Sequence, residues 1–194
     1  MSTVFLLDPL VCLGKPDLYL KVNQQLQGYF DRVGRAMRPA EKILVAWIPA
    51  APTPTPLDLL VYFTPVEYSV VSRFFGKPVD PLAVSHWGYT QFQTANGRVT
   101  VAASEVYAKS LEPDLLAKLA FHELMHNKLV TGNGLHTRNG LAQATVGPNT
   151  DLSAENIADL AAAMHNPVPQ WTGGVDLLLS ARRLRDAGDP LWYL

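Results

Sequence analysis

Three residues of the pentapeptide His122-Glu123-Leu124-Met125-His126 have the types and the spacing to do chemistry. On an α-helix, residues four apart lie one above the other on the same face. The two imidazoles can therefore reach one metal ion, and Glu123 between them can take a proton from a water that the metal polarises. A lone histidine on an apolar helix is most often a core residue satisfied by hydrogen bonds. Two at this spacing around a carboxylate point to metal binding instead.

The helix that must carry the pentapeptide runs from about Pro113 to Val130. Pro113 suits a first helical turn and Asp114 the positive end of the helix dipole. Leu115, Leu116, Leu119, Phe121, Leu124, Met125 and Leu129 surround it on nearly all sides, which predicts a buried helix. Leu115 and Leu119 share the stripe of the two histidines, so His122 and His126 are expected to point inward.

Upstream, Leu18, Val22, Leu26, Tyr29, Phe30 and Val33 follow a helical period over residues 17–37, with Pro39 just beyond. Residues 42–48 and 57–64 read as strands, joined by a connector that Pro49, Pro52, Pro54 and Pro56 hold extended. A short helix is expected over residues 66–75. Two alternating segments, 88–93 and 98–103, flank Thr94-Ala95-Asn96-Gly97, and Asn-Gly is a strong hairpin-turn signal. Downstream lie a polar, glycine-containing loop over 131–151, a helix capped by Ser153 and running to about Met164, and a helix from about Val175 to Ala187 ended by Gly188. The pattern is α+β within a single domain of 194 residues, a sheet-containing part over about 1–130 and a helical part over about 131–194.

Composition narrows the partners. With 48% hydrophobic residues the chain can bury one sizeable core, and a net charge of −1 provides no basic footprint for nucleic acid. No apolar segment has the length of a membrane span. The N-terminal apolar run lacks basic residues and breaks at Asp8 and Pro9, so it does not read as a signal peptide; synthesis in the cytoplasm is expected, with export by a signal-less route left open. The single cysteine, Cys12, excludes both an internal disulfide and a cysteine-rich zinc site, and is expected in the core. His86 and His165 have no motif context. Arg182, Arg183 and Arg185 are expected on a solvated helix face, and Trp87, Trp171 and Trp192 as core or cleft walls.

In its pentapeptide the chain resembles the zincin-type zinc metallopeptidases, which carry His-Glu-x-x-His on their active-site helix. The resemblance implies that His122 and His126 bind zinc and that Glu123 is the general base. It also implies a zincin-like fold, in which a small mixed sheet precedes the active-site helix and one edge strand binds an extended peptide through its backbone. The order of elements over residues 17–165 fits, and either hairpin strand can be that edge.

A catalytic zinc needs a third protein ligand and an open position, and two candidates lie downstream. Glu155 is followed at i+4 by Asp159, similar to the Glu-x-x-x-Asp of thermolysin-like gluzincins, where the Glu binds metal and the Asp supports a ligating histidine. Glu155 and Asp159 share a helix face opposite Ile157, Leu160 and Met164. The other candidate is His136, in a Gly-Asn-Gly-Leu-His stretch. Metzincins continue the motif as His-Glu-x-x-His-x-x-Gly-x-x-His; here the glycine position is Leu129, the third-histidine position is Gly132, and His136 lies four residues late. Metzincins also place a methionine turn beneath the metal, and Ala163-Met164-His165 has a distant likeness to it. Either Glu155 or His136 would complete the site, and both together would make a closed, four-ligand structural centre.

The expected activity is that of a zinc-dependent metallopeptidase hydrolysing protein or peptide substrates. Two alternatives stand beside it: a non-catalytic zinc-binding interaction domain, and a zinc amidase acting on a non-peptide amide such as a cell-wall crosslink. Nothing in the residues bears on oligomeric state.

Overall fold

The computed structural model describes residues 2–7, 15–48, 53–65, 69–74, 87–109 and 112–189. Cys12, Pro49, Pro52, His86, Trp192 and the ends of the 66–75 segment lie outside them.

Five strands, β1 (Thr3–Leu7), β2 (Leu44–Trp47), β3 (Leu59–Thr64), β4 (Gly88–Ala95) and β5 (Arg98–Tyr107), form one mixed sheet in the order β2-β1-β3-β5-β4. All neighbours are parallel except β4, which pairs antiparallel with β5 and ends the sheet. Helix α1 (Pro16–Ala36) makes the crossover between β1 and β2, and α2 (Val70–Phe74) follows β3. After β5 come α3 (Pro113–Leu129), α4 (Ala154–Ala163) and α5 (Gly173–Asp186).

Alternation along the strands sorts the core into two layers. Leu59, Val61 and Phe63 of β3 face α1, α3 and α4, while Leu60 and Tyr62 face Val175, Leu178 and Ala181 of α5. Because β3 is covered on both sides, all six of its residues are buried. The same reasoning accounts for β1, a strand that its residue pattern does not announce. Val4-Phe5-Leu6-Leu7 is a continuous apolar run, and Val4 and Leu6 belong to one layer while Leu7 belongs to the other. Such a run has no period from which to tell strand from helix.

The hairpin follows its turn chemistry. Asn96 and Gly97 both have positive φ (51° and 70°), as a two-residue type I′ connection requires, and Ala95 pairs with Arg98 across it. Helix α3 is buried nearly throughout, from Leu116 to Lys128, as its apolar surround predicts. None of the described helices is long and apolar enough to cross a membrane.

Candidate metal centre

His122 and His126 are 6% and 8% exposed on the inward face of α3. Each ring is held from behind by a backbone carbonyl: His122 Nδ1 lies 2.6 Å from Leu141 O, and His126 Nδ1 lies 2.8 Å from Thr131 O. A carbonyl oxygen can only accept, so each Nδ1 carries the proton and each Nε2 of the neutral ring is a bare lone pair. Those lone pairs converge. The two Nε2 atoms are 3.1 Å apart, and His136 Nε2 is 3.0 Å from that of His126. One ligand atom from each of the three rings lies within 4.8 Å of the others.

Two proton-free nitrogens facing each other at 3.1 Å repel; a cation between them turns the same arrangement into coordination. Imidazole nitrogens about 2.0–2.1 Å from a tetrahedral centre sit about 3.3 Å apart, close to the separations here. The donor set therefore fits a metal ion.

His136 reaches this point by a specific route. Helix α3 runs to Leu129, and Val130 takes the left-handed conformation (φ 50°, ψ 51°) that a glycine usually supplies at a helix end. The chain turns there, which brings Thr131 O onto His126. A 3-10 turn over Asn133–Thr137 then carries half-buried His136 back to the pair.

Glu155 lies elsewhere. It is exposed in the first turn of α4, where Oε2 accepts from Asn139 N–H at 3.3 Å. Asp159, on the same face, forms an ion pair with Arg138. That helix face meets the Arg138 side chain and the Asn139 backbone and not the histidines. The residue of α4 that does serve the centre is Asn156, fully buried and not among the residues expected at the site. Its Oδ1 accepts from Leu141 N–H (2.8 Å) and Ser153 N–H (3.2 Å), and its Nδ2 donates to Asn139 O (2.8 Å). Asn156 thus fixes the strand of loop whose Leu141 carbonyl orients His122. The only signal for it is its place three residues after the Ser153 cap.

Glu123, 5% exposed, packs against β4. Thr90 Oγ1 of β4 lies 2.7 Å from its Oε2 and 3.0 Å from its main-chain oxygen. Burial pushes the carboxyl up to about 8, and the Thr90 hydroxyl opposes that rise. Gly88, two residues before Thr90, allows the close approach: a Cβ there would sit 2.7 Å from Glu123 Cγ.

The three histidines, Glu123 and Thr90 open on one cleft of about 640 Å³. Consecutive residues Trp87 to Phe92 line it, so β4 lies along it edge-on, and Leu119 and Ala144–Val146 close other sides. Lys118, which donates to Pro148 O at 2.6 Å, clamps the loop that follows Val146 onto α3. Trp87 is a cleft wall, as expected, and Trp171 stacks edge-on with Tyr62 beneath the sheet. His165 is exposed, 3.9 Å from Glu41, and Met164 is buried in the core. Arg182 and Arg183 lie on the outer face of α5.

Burial and the neighbouring His126 and His136 push His122 down to about 4. In the unfolded chain the same ring protonates near 6.5. As pH falls, the unfolded state of the metal-free protein takes up this proton first, so stability present above pH 6.5 is lost as pH drops towards 4. Urea unfolding at pH 7 and pH 5 should show the loss, and His122→Gln should flatten that part of the profile.

No protein-family model matches this sequence, and no curated protein and no solved structure is significantly similar to it.

Proposed function

We propose that the chain is a zinc-dependent metallopeptidase of zincin type, with His122, His126 and His136 as metal ligands and Glu123 as general base. The observation that carries this reading is the convergence of three histidine rings, two of them with Nε2 left proton-free by their carbonyl partners, beside a buried carboxyl group in one cleft. Three imidazoles with an open fourth position suit zinc in a catalytic role. Zinc held there would supply an acidified water and an electrophile for the substrate carbonyl.

The protein's own groups do the rest. Glu123 takes the proton from the attacking water and delivers it to the leaving amine. A cation at the histidines favours the ionised form of Glu123, as the Thr90 hydroxyl does, and so offsets the effect of burial. Among the described residues β4 pairs only with β5, and its other edge runs along the cleft. A sheet edge that lines a cleft can hold an extended peptide by strand addition. This favours a peptide over a compact amide as the substrate. The mixed sheet, its antiparallel edge strand and the buried helix also accord with the fold that the resemblance implies.

The deciding experiment is Glu123→Gln assayed beside the wild type on a denatured-protein library. The variant should keep its metal and lose hydrolysis by about 10²–10⁴-fold, the usual contribution of a positioned general base. A wild type that binds metal and cleaves nothing would overturn the peptidase reading. Gly88→Ala provides a second check, since its methyl would occupy the space of the Glu123 side chain. Activity should fall about 100-fold at unchanged metal content, the scale of a misplaced catalytic group.

A further inference from the structure

The hydroxyl on Glu123 ends a longer chain of polar groups, and its proton directions follow from its two ends. Gln170 Oε1 accepts from Leu60 N–H (3.2 Å), and Gln170 Nε2 donates to Val168 O (2.9 Å). A main-chain N–H only donates and a carbonyl only accepts, so the two ends of this amide are assigned. Asn127 meets it head to tail. Gln170 Nε2 donates to Asn127 Oδ1 at 2.9 Å, and Asn127 Nδ2 donates to Gln170 Oε1 at 3.1 Å.

The second Asn127 hydrogen goes to Ser104 Oγ at 2.9 Å. Thr90 Oγ1 has one proton and two acceptors on Glu123, the carboxylate Oε2 at 2.7 Å and the main-chain oxygen at 3.0 Å, and an ionised carboxylate takes it. Ser104 Oγ, 3.0 Å from Thr90 Oγ1, is then the donor between the two hydroxyls. Asn127 and Ser104 are fully buried, so water does not compete for these positions.

We propose that Gln170, Asn127, Ser104 and Thr90 form a one-way hydrogen-bond relay that orients the Glu123 carboxylate in the cleft. Thr90 is the positioning residue in contact with it, and the other three act through Thr90. This rests on the reading of Glu123 as the base. The relay begins in the connector between α4 and α5, which docks on the sheet through Ala102 N–H to Pro169 O and Trp171 N–H to Ala102 O, both at 2.8 Å. A backbone segment more than 40 residues beyond the histidine helix thereby governs the position of its carboxylate.

Two measurements on the metal-loaded full chain and its variants test the relay. Thr90→Val removes the hydroxyl at constant shape and Thr90→Ser keeps it. Thr90→Val should lower kcat by about 10–100-fold with KM and metal content unchanged, the scale of a misaligned reacting group. Thr90→Ser should restore most of kcat. Equal activity in Thr90→Val and wild type, or equal loss in both variants, would overturn the proposal. If Thr90→Val fails to fold, Ser104→Ala takes its place in both measurements, with a smaller loss of kcat expected.

The other measurement needs no activity. In a double-mutant cycle on urea unfolding, Thr90→Val and Glu123→Gln should be non-additive by about threefold or more in the unfolding constant, as for groups in one network. Additivity would overturn the relay. A wild type without hydrolytic activity whose cycle is non-additive would overturn the peptidase reading and leave the relay supported.

Discussion

His136→Ala is expected to weaken metal binding more than about 100-fold, beyond the 10–100-fold typical of losing a partner behind a ligand. Its Nε2 is one of three converging atoms, at 3.0 Å from His126, and no carboxylate of α4 stands ready to replace it. Glu155→Ala is the matched control. Its side chain holds the Asn139 N–H at an exposed site, so metal affinity should stay within about twofold, in line with surface substitutions. Metal content after dialysis against chelators of graded strength reads both variants together. Loss in Glu155→Ala with retention in His136→Ala would reverse the ligand assignment, and retention in both would remove both residues from the centre.

Asn156→Leu should destabilise the fold by about 1–3 kcal/mol, the cost of a buried polar group left without a partner. The group stranded would be Leu141 N–H, whereas Ser153 N–H and Asn139 O lie nearer the surface, where water can take the place of the amide. Gly140, with φ 66°, leaves no slack to accommodate a change: even a Cβ there would come within 2.5 Å of Asn156 Oδ1. The second effect is on the metal. Once the 139–141 backbone loosens, Leu141 O no longer orients His122, and affinity should fall about 10–100-fold, as for other losses behind a ligand. Urea unfolding of the metal-free protein and chelator competition separate the two effects. Destabilisation with unchanged affinity would show that His122 keeps its orientation without this carbonyl.

What could be read from the residues divides by range. The pentapeptide, the buried helix around it, the Asn-Gly hairpin and the Ser153 cap are local patterns, and each has its counterpart in the structure. β1 escaped because a strand covered on both faces has no alternation to read. The third donor stayed open between His136 and Glu155 because the answer depends on where the chain turns after Leu129. The helix ends near Val130, as its residues predict, but the turn that follows rests on Val130 in a conformation that the residue type argues against. Thr90, Gly88 and Asn156 were out of reach for a related reason: their importance is a matter of what they touch across the sheet or the loop.

Val130 sets backbone comfort against cleft shape. A β-branched residue at φ 50° costs about 1–3 kcal/mol, whereas glycine there would add only about 0.4–1 kcal/mol of unfolded-state entropy. The side chain is 43% exposed, so removing it forfeits little burial. A search for thermostabilising substitutions would therefore settle on glycine at this position. Yet the same isopropyl group forms part of the cleft rim, and its stiff backbone aims Thr131 O at His126. Greater heat resistance obtained at residue 130 would come with a wider cleft mouth and a less firmly held His126 ring, so durability and cleft shape are opposed at a single side chain.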